Sequence, residues 1–117
     1  MYNIILYTYT YVFYKETNMQ NMQERREIMK VVVTVVGQDR VGIIATVSAV
    51  LAENQINIVN INQNIVDGFF NMVLIADMAN ANIQLKDLQH ILQQKGEELG
   101  LQIKAQHEDI FRIMHRI

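Results

Sequence analysis

Residues 30–36 read KVVVTVV, a strand-forming run that is apolar on both of its faces. A strand with one wet face alternates apolar and polar residues; one that does not must be covered on both sides, in the interior of a sheet. Residues 69–76, FFNMVLIA, repeat the pattern, broken only by Asn71. Two further segments have strand character but are more polar. Residues 55–66 carry Asn57, Asn60, Asn62 and Asn64, and asparagine is disfavoured in sheets. Residues 101–106 alternate cleanly, with Leu101, Ile103 and Ala105 on one face and Gln102, Lys104 and Gln106 on the other. The two doubly apolar strands belong in the centre of a sheet and the two polar ones at its edges.

Helical periodicity fills the gaps. Over 41–53, Ile43, Ile44, Val47, Val50 and Leu51 form one apolar stripe, and over 84–99 Leu85, Leu88, Ile91, Leu92 and Leu99 form another. Gly37 is expected to end the first strand, and Asp39 is a candidate cap for the helix after it. Asp67-Gly68 is a hairpin signal. Asn82 is a candidate cap for the second helix, Gly100 suits the left-handed position after it, and Gly96 inside it costs up to ~1 kcal/mol against alanine. The order is β-α-β-β-α-β. With right-handed crossovers it closes as an α+β, ferredoxin-like sandwich with antiparallel sheet order 4-1-3-2 and both helices on one face. The other face carries valine and phenylalanine side chains that need cover. A short helix in the tail, 107–117, with Ile110, Phe111 and Met114 on one stripe, or a second subunit, or both, would supply it.

The 117 residues suffice for one domain. Net charge is −2 with a pI near 5.9, which gives no reason to expect a nucleic-acid partner. The chain has no cysteine, so disulfides and thiolate metal sites are excluded, in keeping with a cytoplasmic location. All five tyrosines lie between Tyr2 and Tyr14. The apolar run there is shorter than the ~20 residues a membrane-spanning helix needs, and it lacks the basic flank and cleavage site of a secretory signal. Residues 1–28 are therefore expected to be an extension outside the domain. Either translation starts at Met29, with Glu24 to Glu27 reading as translated purine-rich ribosome-binding sequence, or the segment is a β arm over the open sheet face. N-terminal sequencing of the native protein separates the two.

The chemistry of catalysis is hard to find. His107, Glu108, Asp109 and His115 invite a metal, but the two histidines are eight residues apart, about two helical turns, and no H-E-x-x-H pattern is present. No G-x-S-x-G, P-loop or Rossmann glycine pattern occurs. The expectation is a protein with no catalytic residues, no metal and no cofactor.

The turn Asp39-Arg40-Val41-Gly42-Ile43, the helix after it, Ile56-Asn57-Ile58, and Asp67-Gly68-Phe69 together resemble the ACT-domain family of small-molecule sensors. The resemblance covers residues 29–106, and the ending from Ile110 to Ile117 is similar to that of a stand-alone group within the family. It implies a regulatory homodimer that binds an amino acid or related ligand near a subunit boundary, with a protein partner downstream. The implied site is Gly37, Gln38, Asp39, Arg40, Val41, Gly42, Ile43 and Asn57. A helix N-terminus suits a carboxylate, Asp39 an ammonium group, and the Asn57 amide can donate and accept. Gly37 replaces a polar side chain that some amino-acid binders use. Structural readings stand beside these: Asp39 as a helix cap, Gly42 as a packing glycine, Arg40 as a solvated charge, and Asn57 as a tie for backbone at a strand start.

Overall fold

The computed structural model describes residues 28–114; the expectations for residues 1–27 and for His115 to Ile117 lie outside them. The elements follow the order β1 (Lys30–Gln38), α1 (Ile43–Glu53), β2 (Asn57–Val66), β3 (Phe69–Asp77), α2 (Leu85–Leu99), β4 (Leu101–His107) and α3 (Glu108–Met114). The four strands form one antiparallel sheet in the order β2-β3-β1-β4. That is the expected 4-1-3-2 order, and its centre is the pair of doubly apolar strands.

Strand alternation divides the side chains. Val31, Val33 and Val35 of β1 and Met72, Leu74 and Ala76 of β3 are buried against Ile43, Val47 and Leu51 of α1 and Leu88 and Leu92 of α2. Each such large side chain contributes ~1.5–3 kcal/mol by leaving water. On the opposite face Val32 is also buried, and α3 packs on β1 and β4 there. The cover is partial: farther along the same face Val36 and Val73 remain 44% and 41% exposed.

Four local details depart from the sequence reading. Strand β1 does not stop at Gly37 but continues to Gln38. Gly37 pairs with Leu101, and a Cβ there would lie 2.5 Å from Leu101 Cδ2, so the glycine serves the close approach of β4. Helix α1 begins at Ile43, and Gly42, not Asp39, holds its N-cap position, with no side-chain cap. Gly42 has φ +95°, and a Cβ there would meet nothing within 4 Å, so it is a conformational glycine and not a packing one. Helix α2 is capped at Gln84, whose N–H donates to the Asp87 carboxylate at 3.1 Å; Asn82 instead donates its backbone N–H to Asn54 O. Gly96 is buried, and a Cβ there would lie 2.6 Å from Leu101 O, so this helix glycine lets α2 lie against β4.

Strand β2 holds a further irregularity. Its pairing with β3 shifts between Ile58 and Asn60, leaving Val59 as a bulge. An extra residue reverses the alternation after it. Asn57 therefore shares the sheet face opposite α1 and α2 with Asn60, Asn62 and Asn64, while Ile58, Ile61 and Ile65 turn toward those helices.

Candidate functional site

The β1–α1 turn is held from two sides. The Asp39 N–H donates to Gly68 O at 2.8 Å, tying the turn to the tip of the β2–β3 hairpin. The Arg40 guanidinium donates to Leu99 O at 3.0 Å, at the carbonyl end of α2. A cation there meets the negative end of the helix dipole, so Arg40 is an anchor of the turn and not a free surface charge. Between these anchors Gln38, Asp39, Arg40, Val41 and Gly42 are all exposed, Val41 at 98%.

Gly42 turns the chain in a left-handed conformation, and its carbonyl accepts the first helical bond, from Thr46 N at 2.9 Å. Among the described residues no side chain caps α1, and its first turn holds no acidic residue. The leading amide groups of a helix have no intrahelical acceptors, and they carry its positive dipole end. The surface so formed suits a small anionic group, with the Asp39 carboxylate nearby for a cation. Ile43 takes another role: its side chain is a core residue, and only its backbone belongs to the helix start. Gly37 likewise faces Leu101.

Asn57 is not at this turn within one copy. It pairs with Asp77, which pairs with Lys30 at the start of β1, whereas the turn follows Gln38 at the other end. Eight residue steps along a strand span about 26 Å. The structure thus gathers residues 37–43 in one place and sets Asn57 at the opposite end of the sheet.

Two concavities escaped the sequence reading. One, of about 860 Å³, runs along β4 and α2 past Gln93, Glu97, Gln102 and Lys104. The other, of about 470 Å³, lies on the sheet face opposite α1 and α2 and is lined by Asn60, Asn62, Asn64 and Asn71 with Phe111 of α3. The asparagines were visible as poor strand formers; the bulge that sets which face they take was not. Among the described residues no group of three or more His, Asp or Glu side chains is placed to hold a metal. His107 uses its Nδ1 to accept the Asp109 N–H at 3.1 Å, at the start of α3. No helix among the described residues is long and apolar enough to cross a membrane.

Comparison with known proteins agrees with this architecture. The model of the ACT domain family matches residues 29–106. A UPF0237 protein of Methanocaldococcus jannaschii is 52% identical over 88 residues, covering 75% of this chain and 98% of the relative. A UPF0237 protein of Clostridium perfringens is 47% identical over 89 residues, 76% of this chain and 100% of its own length. Among solved structures, an ACT domain protein from Streptococcus pneumoniae superposes with a TM-score of 0.63 at 34% identity, covering 71% of this chain and 93% of that one. With its strand order, its β1–α1 turn and these relatives in agreement, the chain belongs to the ACT domain family.

Proposed function

We propose that this protein is a regulatory dimer that binds an amino acid, or a similar small carboxylate, at the β1–α1 turn, and is not an enzyme. The observation that carries the reading is the uncapped start of α1. Gly42 opens the helix with its leading amides toward solvent, in a turn braced by Gly68 and Leu99. A ligand carboxylate takes the place of the missing cap, and Asp39 pairs with the ammonium group. The output is a population shift: the ligand favours the dimer arrangement for which it has the higher affinity, and a protein partner reads that state. A cysteine-free chain suits work in a reducing cytoplasm.

The two sheet edges support a dimer through β2. Helix α2 guards the β4 edge: Gln89 Nε2 donates to Ala105 O at 2.7 Å, and Gly96 brings the helix against Leu101 O. Among the described residues strand β2 has no such cover, and it exposes Ile61 and Ile65, the latter at 53%. A bare apolar edge is a template for another strand. Antiparallel pairing of β2 with its copy about a two-fold axis at Asn62, with the Val59 bulge as one extra residue, sets the partner's Asn57 opposite Val66. Val66 leads directly into the hairpin tip that Asp39 touches. The dimer then joins Asn57 to the turn that a single copy keeps it from.

A thermal-shift screen of the whole chain against the proteinogenic amino acids tests this. A ligand at one hundred times its Kd adds about 2.7 kcal/mol to the folded state, on the order of 10 °C for a domain of this size. Loss of the shift in Asp39→Ala and Asn57→Ala supports the site; a panel without a saturable hit contradicts it. A second reading, an interaction module whose dimerisation is itself the function, draws on the exposed Ile110, Ile113 and Met114 of α3. It gains if the screen is silent and those residues capture a protein partner.

A further inference from the structure

The face of β2 opposite α1 and α2 presents a row of carboxamides where other edge strands place charge. Exposed edges are ordinarily blunted by lysine and other charged residues, yet residues 57–66, NIVNINQNIV, carry no charge at all. Asparagine also weakens a strand. Asn60, Asn62 and Asn64 share one face by strand alternation, which the Val59 bulge makes the face of Asn57 as well, and Asn71 of β3 pairs directly with Asn64. All four are exposed. They border the concavity of about 470 Å³ described above, with Val73 among the residues beneath and Phe111 of α3 at its side. Helix α3 follows β4 with no intervening loop, and Gln106 Nε2 reaches Met114 Sδ at 3.3 Å, which positions Phe111 beside the sheet.

We infer that this concavity is a second ligand site, for a planar, uncharged nitrogen heterocycle with an amide-type hydrogen-bonding edge, the chemistry of a nucleobase. A carboxamide offers a donor and an acceptor side by side, and so matches an edge that presents both. Side chains directly opposite across a sheet are ~5 Å apart, and those two apart on a strand ~7 Å, a spacing that a ring of this class bridges. Val73 and the Phe111 ring supply apolar surface for the flat face of the ligand. Among the described residues no charged side chain lines the concavity, so these supply nothing to hold a phosphate, and the chain's net charge of −2 opposes a polyanion. The ligand is a free base or nucleoside and not a nucleic acid. The site lies on the sheet face opposite both long helices, and its occupation does not depend on what the β1–α1 turn binds.

The test is a titration of the whole, isotopically labelled chain with adenosine, guanosine, cytidine and uridine, and with ribose alone, followed by NMR. At least one nucleoside is expected to move the side-chain amide signals of Asn62, Asn64 and Asn71 and the ring signals of Phe111, saturably. Its affinity is expected to fall at least about ten-fold in Asn62→Asp, which keeps the size of an exposed side chain but replaces its donor by a charge. Phe111→Ala gives a second, independent loss. The inference is overturned if no nucleoside produces a saturable shift, if ribose alone reproduces it, if the shifts map to residues 37–43 instead, or if Asn62→Asp binds as the parent does.

Discussion

Substituting Gly96 by alanine separates two physical effects that have opposite signs. In an ordinary helix interior, alanine is more stable than glycine by about 1 kcal/mol, through backbone entropy and solvation. Here the new Cβ would lie 2.6 Å from Leu101 O and 3.3 Å from Ile103 Cγ1, and the first is closer than a real Cβ comes to a backbone oxygen. Leu101 cannot retreat easily. It follows the left-handed Gly100 that ends α2, and it pairs with Gly37, whose missing side chain leaves room for Leu101 Cδ2. Helix α2 must therefore move off β4 or the strand must bend. Forcing an extra carbon into a packed site costs about 1–3 kcal/mol, and relief of the helix penalty offsets only part of it. Gly96→Ala is expected to destabilise the domain by about 1–2 kcal/mol, at ~4–8 °C in Tm per kcal/mol. Urea unfolding measures it, with a lower midpoint and an unchanged slope. A variant as stable as the parent, or more stable, would refute the claim that this glycine serves helix–strand contact.

Three further outcomes follow from single positions. Gly42→Ala meets no steric obstacle but must hold φ +95°, so it is expected to cost ~1–2 kcal/mol in thermal unfolding; a neutral result would mean the turn rearranges freely. Gln89→Leu removes the bond to Ala105 O and is expected to cost ~1 kcal/mol and to raise light scattering on heating, because it uncovers the β4 edge. Ile61→Lys places a charge on the exposed edge of β2 and is expected to leave the fold intact while lowering the sedimentation mass to that of one chain; a mass unchanged from the parent's would remove β2 as the interface.

The sheet was legible because its signals are local. Val31 to Val36 and Phe69 to Ala76 announce central strands by lacking alternation, and the Asp67-Gly68 pair announces the hairpin between β2 and β3. What escaped depends on residues far apart in the chain. Gly37 and Gly96 read as interruptions until Leu101 is placed beside both. Arg40 reads as a surface charge until Leu99 O is found, 59 residues on. The Val59 bulge leaves no mark in composition, yet it decides which way Asn60, Asn62 and Asn64 face. Of the expected site, residues 37–43 are contiguous in sequence and stay together in space; Asn57 joined them by family resemblance, and the topology of one copy separates it from them.

That separation allows a direct test of a ligand site shared between two copies. Asp39→Ala and Asn57→Ala chains, each unable to bind alone, are mixed, dissociated and reassociated, and amino-acid binding is measured by calorimetry. If each site takes its turn from one copy and Asn57 from the other, half of the dimers are mixed and each regains one intact site, so about a quarter of the parent capacity returns. Mixed chains that recover no binding would contradict the shared site.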